Sequence, residues 1–264
     1  MRPPPAAQGG GGRRGWAYDA AVTPLPRLRQ VALAAYDLQT TTKELQEAFG
    51  WPEPFHDPGV GEFGLENSVF AAGDTFVEVV SPVRPDTAAG RYLERRGGDS
   101  GYMAIFQLDD VGAARSRVTA SGMRVVWSID LEDIAGTHLH PKDTPGAIVS
   151  LDWADPPETW RWAGPDWTGT SSANRCGSLQ GLVIEVDDPA VAAHRWATAL
   201  GLEASRGPGG EVRVELSAAR QLLRFVPARD PGDEGITEVW LGPDANGERK
   251  VGIAGVTFVV GAGG

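Results

Sequence analysis

The chain has 264 residues, of which 41% are hydrophobic and 22% are charged, a balance typical of a soluble globular protein. Its net charge of −11 argues against a nucleic-acid partner, because phosphates would be repelled. No apolar run reaches the roughly 18 to 20 residues that a membrane helix needs. The single cysteine, Cys176, excludes internal disulfides and cysteine-based metal clusters. The N-terminus lacks the apolar segment of a signal peptide, so we expect a cytoplasmic protein.

One succession of elements recurs three times after residues 1–26, a Pro/Gly-rich head that we expect to be disordered. Each copy begins with an apolar strand, continues through an aspartate into a helix, and ends the helix at a glycine. The caps are Asp37, Asp110 and Asp188, and the closing glycines, 12 or 13 residues further on, are Gly50, Gly122 and Gly201. Further strands follow each helix. This agreement predicts an internal repeat of strand–helix–strand modules.

The copies also predict the domain boundaries. Residues 27–155 contain the first two modules and form one unit, and residues 156–177 form a connector rich in Trp, Pro and Gly. Residues 178–264 hold the third module and two further strands, at 235–241 and 251–260, with no room for a fourth helix. This second unit is therefore incomplete, and its open sheet edge needs cover from the first unit or from another chain, as in a homodimer.

The stretch 136–153 predicts a hairpin that closes the second module. Its sequence, GTHLHPKDTPGAIVSLDW, alternates on both sides of a Lys-Asp-Thr-Pro-Gly turn. Because side chains alternate along a strand, His138 and His140 are expected on one face. On the facing strand, Ser150 and Asp152 share a side.

The paired modules resemble the vicinal oxygen chelate superfamily, which includes glyoxalases, methylmalonyl-CoA epimerases, extradiol dioxygenases and bleomycin-resistance proteins. The resemblance is carried by LRQVALAAYDL and GDTFVEVVSP in the first module and by GYMAIFQLDD and LHPKDTPGAIVSLDW in the second. It implies an α+β fold of βαβββ modules, two of them paired into a curved, barrel-like sheet around a cavity. It also implies a divalent metal held by the first and last strands of both modules.

The resemblance places the four metal-binding positions at Gln30, Glu78, Met103 and Ser150. A thioether suits soft ions only, and neither Met103 nor Ser150 is an ordinary ligand for a divalent metal. We therefore predict no cofactor. The alternative is a modified metal site built from Gln30, Glu78, His138 and His140.

Glu78 is the candidate general base, with a pKa raised by apolar neighbours such as Phe76. The competing interpretation is that Glu78 only hydrogen-bonds to Gln30 or to a nearby backbone amide. His138 and His140 are candidate acid–base partners if they face inward, and solvated residues if they do not. Asn67 is a candidate orienting group.

Basic residues suggest an anionic group on the ligand. Arg91 and Arg95 lie four apart on a short predicted helix and would line one of its faces, and Lys142 lies in the hairpin turn. The alternative, and the default for such residues, is that these basic side chains are simply solvated, with Glu94 or Asp99 near the arginines. Tyr102 and Met103 would supply part of an apolar cavity wall.

Two classes of function remain open. The first is a metal-independent isomerase, lyase or hydrolase acting on a carbonyl or acyl compound, with Glu78 as the base. The second is a binding or sequestration protein of the bleomycin-resistance type, which needs aromatic walls but no base. Both predict a small, partly apolar ligand, and a divalent-metal-dependent lyase, isomerase or dioxygenase is a further alternative.

Overall fold

The computed structural model describes residues 25–167, 177–244 and 246–261. The predicted disordered head lies almost wholly outside these residues, as does much of the predicted connector. Within the described residues, no helix is long and apolar enough to cross a membrane.

Two seven-stranded sheets form the framework of the described residues. The first contains β1 (Arg27–Ala34), β2 (Leu65–Ala72), β3 (Thr75–Pro82), β4 (Ser100–Gln107), β5 (Val125–Asp130), β6 (Ile134–Leu139) and β7 (Ile148–Ala154). The second contains β8 (Leu179–Val186), β9 (Ala204–Arg206), β10 (Val212–Leu216), β11 (Gln221–Pro227), β12 (Gly235–Leu241), β13 (Arg249–Ile253) and β14 (Val256–Val260). The helices are α1 (Leu38–Phe49), α2 (Ala88–Arg96), α3 (Val111–Ala120) and α4 (Pro189–Leu200). Short 3-10 helices cover Pro58–Phe63, Arg161–Ala163 and Ser217–Ala219.

The three aspartates that punctuate the repeat all cap helices. The side chains of Asp37, Asp110 and Asp188 accept hydrogen bonds from backbone N–H groups in the first turns of α1, α3 and α4. These are among the donors that have no partner within the helix, so a short acidic side chain fixes where each helix begins. The repeated spacing therefore reflects repeated local chemistry.

Each sheet consists of two similar halves joined at a central antiparallel pair. The first sheet has the order β2-β3-β1-β4-β7-β6-β5, with β1 antiparallel to β4 at its centre. The second has the order β13-β14-β12-β8-β11-β10-β9, with β12 antiparallel to β8. In all four halves the inner strand also pairs in parallel with the last strand of its own module. The fold is thus α+β and consists of paired modules, and neither sheet closes into a barrel.

The second sheet is completed within the chain. The edge of β8, which we expected to need cover from the first unit or from another chain, pairs with β12. The strand predicted at 251–260 is in fact a hairpin. Ala254 and Gly255 both have positive φ, 47° and 70°, which is the geometry of a two-residue turn between antiparallel strands. Asn-Gly is the usual sequence of such a turn, so Ala-Gly is a weaker signal for it.

One apolar core is shared by both sheets and by α1, α3 and α4, and includes Phe49, Phe106 and Trp196. The two sheets approach closely at Gly101, where a Cβ atom would lie only 2.5 Å from Cβ of Ile236 on β12. A second apolar cluster covers the opposite face of the first sheet and includes residues of α2. That face carries the candidate site.

Candidate active site

A cavity of about 380 Å³ lies on the face of the first sheet that turns away from the shared core. Both modules contribute to it. Its polar lining residues are Gln30, Asp57, Glu62, Glu78, Tyr102, His138 and Asp152. Apolar and aromatic side chains make up most of the remaining wall, among them Phe63, Met103, Trp127 and Trp162. A wider groove along α1 shares Asp57, Val60 and Leu65 with the cavity.

Glu78 is buried in β3, and both of its carboxylate oxygens accept hydrogen bonds. Gln30 Nε2 donates to one oxygen at 2.8 Å, and Asn67 Nδ2 donates to the other at 2.7 Å. Trp160 Nε1 in turn donates to Gln30 Oε1 at 2.7 Å. An indole N–H can only donate and a carboxylate can only accept, so the orientation of the Gln30 amide is fixed. Burial raises the pKa of Glu78, and the two amide hydrogen bonds oppose that rise.

Asp152 is a second buried carboxyl group in the same cavity. It lies on β7, accepts a hydrogen bond from Trp162 Nε1 at 2.7 Å, and accepts another from Ser150 Oγ. Burial raises the pKa of Asp152 to about 7, against the hydrogen bonds from Ser150 and Trp162. A carboxyl group in this state can both give and take a proton near neutral pH.

The two histidines of the hairpin are separated by the structure. His138 lines the cavity beside Trp127, with 4.4 Å between the ring centroids, and burial lowers its pKa to about 4. His138 is therefore neutral at pH 7. His140 lies beyond the end of β6, outside the cavity lining, and its Nδ1 accepts a hydrogen bond from the Lys142 backbone N–H at 3.1 Å. The prediction that both histidines act from one face fails because the strand ends at Leu139.

The predicted basic residues also lie outside the cavity lining. Arg91 and Arg95 are exposed on α2, where they donate to the backbone carbonyls of Asp86 and Arg91 respectively. Lys142 is exposed in the hairpin turn. Lys and Arg are absent from the cavity lining among the described residues.

The other predicted site residues form the wall of the cavity or the layer behind it. Tyr102 and Met103 line the cavity, and burial raises the pKa of Tyr102 to about 12. Asn67 and Ser150 are buried behind Glu78 and Asp152. Phe76 stacks on Trp160, with 6.3 Å between the ring centroids.

The two modules place their predicted metal positions in equivalent register. Glu78 lies opposite Ala32 on β1, and Ser150 lies opposite Ile105 on β4. Ala32 lies two residues after the predicted position Gln30, and Ile105 lies two residues after the predicted position Met103. The four positions are therefore related by the pairing of the strands, although Ser150 reaches the cavity only through Asp152.

These side chains do not fit an ordinary divalent metal. The only metal-binding atom of Gln30, Oε1, already accepts from Trp160, and its amide nitrogen is turned to Glu78. Met103 offers a thioether, which suits soft ions. Among the described residues, no three His, Cys, Asp or Glu side chains are grouped so as to hold a metal. The alternative set with His138 and His140 is not assembled, because His140 lies outside the cavity.

Sequence reasoning did not select Asp152, Trp127 or Trp162 as site residues. Asp152 carried a usable signal, because it lies two residues after Ser150 and so on the same face of β7. Trp162 lay in a cluster of tryptophans for which both a lid and a packing role were considered. In the structure it lines the cavity, while Trp160 is fully buried behind Gln30.

Relative to the wild type, Asp152→Asn should gain stability as the pH rises from about 4 to about 7, while its amide N–H, in place of one oxygen, sets a constant cost against the donors Ser150 and Trp162. The folded-state pKa of Asp152 exceeds the unfolded value, so the folded protein retains a proton that the unfolded chain releases in this window. The ionisation of Asp152 therefore lowers the stability of the wild-type protein as the pH rises. Urea unfolding of both proteins across this range measures the difference.

The lowered pKa of His138 changes the stability in the opposite direction over this pH range. His138 is present in both proteins, so its contribution cancels in the comparison. Replacement of the exposed Asp109 by Asn is the matched control for the loss of one carboxylate. A difference between wild type and Asp152→Asn that is constant across the range would contradict the raised pKa.

Comparisons with known proteins give one curated relative and several solved structures. No family model matches the chain. The ethylmalonyl-CoA/methylmalonyl-CoA epimerase of Cereibacter sphaeroides is 27% identical over 134 residues, which are 48% of this chain and 96% of that protein. A variant of the Streptomyces coelicolor methylmalonyl-CoA epimerase in complex with 2-nitronate-propionyl-CoA has 23% identity and a TM-score of 0.44, and the match covers 48% of this chain and 96% of its own.

A hypothetical protein from Staphylococcus aureus matches over both sheets. The match covers 89% of this chain and 98% of that one, with a TM-score of 0.65 and 9% identity, so it bears on the fold alone. The sequence match to the Cereibacter protein adds a relative from the group that the module pattern resembles. Together, the paired modules and these comparisons show a glyoxalase-like fold, similar to that of the vicinal oxygen chelate superfamily.

Proposed function

We propose that the cavity of the first sheet carries out proton transfer at a carbon next to a carbonyl group, as an isomerase or epimerase on a small, partly apolar substrate. The observation that carries this proposal is the presence of two buried carboxyl groups, one from each module, in one cavity. Glu78 is held by two amide N–H donors, and the pKa of Asp152 is about 7. The Cereibacter relative is named an epimerase, which agrees with this class of reaction.

The two carboxyl groups reach the cavity from different modules. Glu78 lies on β3 and Asp152 on β7, and the central pair β1 and β4 separates these strands. Three strand spacings correspond to roughly 14 Å between the backbones of β3 and β7. Both side chains line the cavity, so a bound substrate is open to one carboxyl group from each module.

In the proposed reaction one carboxylate takes a proton from the carbon, and the C–H electron pair forms an enolate whose negative charge rests on the carbonyl oxygen. The other carboxyl group returns a proton to the carbon from the opposite side, which inverts that centre. We assign Glu78 as the base because both of its oxygens accept amide N–H hydrogen bonds, which favour the carboxylate against the effect of burial. Asp152 begins as the acid because much of it is protonated near pH 7.

The developing enolate oxygen needs hydrogen-bond donors that remain protonated. Tyr102 lines the cavity and keeps its phenolic proton at neutral pH, since its pKa is raised to about 12. His138 is neutral and retains one ring N–H. These two groups are the proposed donors to the enolate oxygen.

The charge of the lining favours a neutral or cationic reacting group. Asp57 and Glu62 add two more acidic side chains, and the exposed Glu62 places one of them at the opening. A substrate carboxylate would meet these acids with no lining Lys or Arg to offset them among the described residues. We therefore favour neutral ketones and thioesters over substrates with a second carboxylate at the reacting carbon.

Exchange of α-protons in D₂O, followed by NMR, tests the proposal directly. Phenylacetone and propionyl-CoA represent neutral reacting groups, and phenylpyruvate and methylmalonyl-CoA represent anionic ones. We expect catalysed exchange of a neutral compound that persists in EDTA. Exchange that requires an added divalent metal would contradict the proposed metal-independent reaction, and absence of exchange across the panel would count against proton transfer.

A non-catalytic binding protein is the second candidate, favoured by the aromatic and acidic character of the same cavity. Trp127, Trp162 and Phe63 provide flat apolar surface, and acidic groups beside aromatic rings suit an organic cation. Naphthylmethylammonium and naphthoate form a matched pair of probes for calorimetry. Tighter binding of the ammonium probe than of naphthoate, without proton exchange on the ketone panel, would favour sequestration over catalysis.

A further inference from the structure

The outer face of the second sheet carries a groove of about 250 Å³, separate from the cavity of the first sheet. It lies beside the parallel strands β8 and β11, which pair as β4 and β7 do at the first site. Arg224 lies opposite Val183, as Ser150 lies opposite Ile105 in the first sheet. The groove therefore occupies the corresponding place on the second sheet but carries different chemistry.

Two arginines lie side by side on this face. Arg213 on β10 and Arg224 on β11 are directly opposite each other in the antiparallel pair. Like charges at directly opposed positions destabilise a sheet unless something offsets them. Arg213 has an ion pair with Glu215 at 2.8 Å, whereas Arg224 has no ion pair among the described residues. Neither Nε atom has a hydrogen-bond partner, although both are buried.

The guanidinium of Arg224 is held in place by an aromatic ring. It lies over Trp240, 5.6 Å from the ring centroid. The indole extends across Gly181, where a Cβ atom would lie 3.1 Å from Trp240 Cε3. Trp240 Nε1 donates to Glu238 at 3.0 Å, which fixes the ring from its other end. Stacking restricts the arginine without neutralising its charge.

The acidic residues of the groove are already paired with other cations. Glu185 lies 3.5 Å from Arg229, and Glu238 lies 3.6 Å from Lys250. Neither forms an ion pair with Arg224. Within the part of the chain that the structure describes, Glu215 is therefore the one ion-pair partner of the two adjacent arginines.

We propose that the edge of this groove, where Arg224 lines it and Arg213 lies directly opposite Arg224 on the neighbouring strand, binds a small oxyanion, the carboxylate or phosphate group of a small ligand, which bridges the two arginines. An oxyanion between two guanidinium groups accepts charge-assisted hydrogen bonds from both and offsets their repulsion. Inorganic phosphate and benzoate are the probes for the two sources of this chemistry. The proposal does not depend on the reaction proposed for the first cavity.

Thermal unfolding of the full chain tests the site with each probe, at constant ionic strength maintained with chloride. At a probe concentration tenfold above Kd, binding should raise the wild-type Tm by about 3–6 °C. Arg224→Gln should lose this shift, whereas Arg195→Gln, on α4, should keep it. Without a probe, Arg224→Gln should melt at or above the wild-type temperature, because one of two opposed charges has gone.

The response to the two probes identifies the ligand. A shift with phosphate alone assigns a phosphate ligand, a shift with benzoate alone assigns a carboxylate, and a shift with both supports the general oxyanion site. Equal shifts in all three proteins, or no shift with either probe, would overturn the proposal. If Arg224→Gln does not fold, the Arg Nε–Hε NMR signals of the wild type decide. The signals of Arg213 and Arg224 should shift when the probe is added, and unchanged signals would reject the site.

Discussion

Replacing Glu78 with Gln should lower the rate of α-proton exchange by about 10²- to 10⁴-fold, the usual contribution of a positioned general base. The substitution keeps the shape of the side chain and removes its charge. One of the donors Gln30 and Asn67 must then face an amide N–H instead of an oxygen, at a cost of about 1–3 kcal/mol. The expected loss of rate is therefore accompanied by a modest loss of stability. NMR exchange rates and urea unfolding of the same preparation measure both.

The matched control is Glu47→Gln on the exposed face of α1, where the carboxylate forms an ion pair with Lys43. It should change neither rate nor stability appreciably, because an exposed pair contributes about 0.3–0.5 kcal/mol. A Glu78→Gln protein that exchanges substrate protons at the wild-type rate would remove Glu78 from the mechanism. Asp152 would then be the remaining candidate base.

Replacing Trp160 with Ala should destabilise the protein by about 3–5 kcal/mol, the range for truncating a fully buried Trp. Its ring stacks on Phe76, and the guanidinium of the buried Arg29 lies 5.4 Å from its ring centroid. The change also removes the donor to Gln30 Oε1. Equilibrium unfolding in urea is the measurement.

Trp160→Phe separates packing from hydrogen bonding. It keeps an aromatic ring but leaves Gln30 Oε1 without the indole donor, so a smaller loss of about 1–3 kcal/mol is expected. The freed amide of Gln30 can also rotate, which should alter the exchange rate through Glu78. A loss below about 1 kcal/mol for Trp160→Ala would mean that the segment after β7 packs only loosely on the first sheet.

The repeat could be predicted from the sequence because its markers are local. An aspartate cap acts on backbone groups two or three residues away, as Asp37 and Asp188 do. The family resemblance placed Glu78 and Gln30 in one site, and the two side chains are joined by a hydrogen bond. The hairpin at Ala254 and Gly255 escaped prediction because its two-residue turn lacks the usual Asn or Asp.

The rest of the site depends on contacts that sequence spacing does not reveal. Trp160 reaches Gln30 across 130 positions, and its selection from a cluster of tryptophans required the fold. His140 differs from His138 because β6 ends between them, and strand ends are poorly encoded by local pattern. The pKa of Asp152 is raised by burial. That burial depends on the folded structure, so the sequence alone did not predict it.

The completion of the second sheet by β12 affects how the chain folds as it leaves the ribosome. The first sheet uses strands that end at Ala154, so it can form while later residues are still being synthesised. β8 must wait for a neighbour some 50 residues further along. During that interval its hydrogen-bonding edge is exposed to other nascent chains. C-terminal truncation before Gly235 would make that exposure permanent and favour aggregation over loss of a single activity.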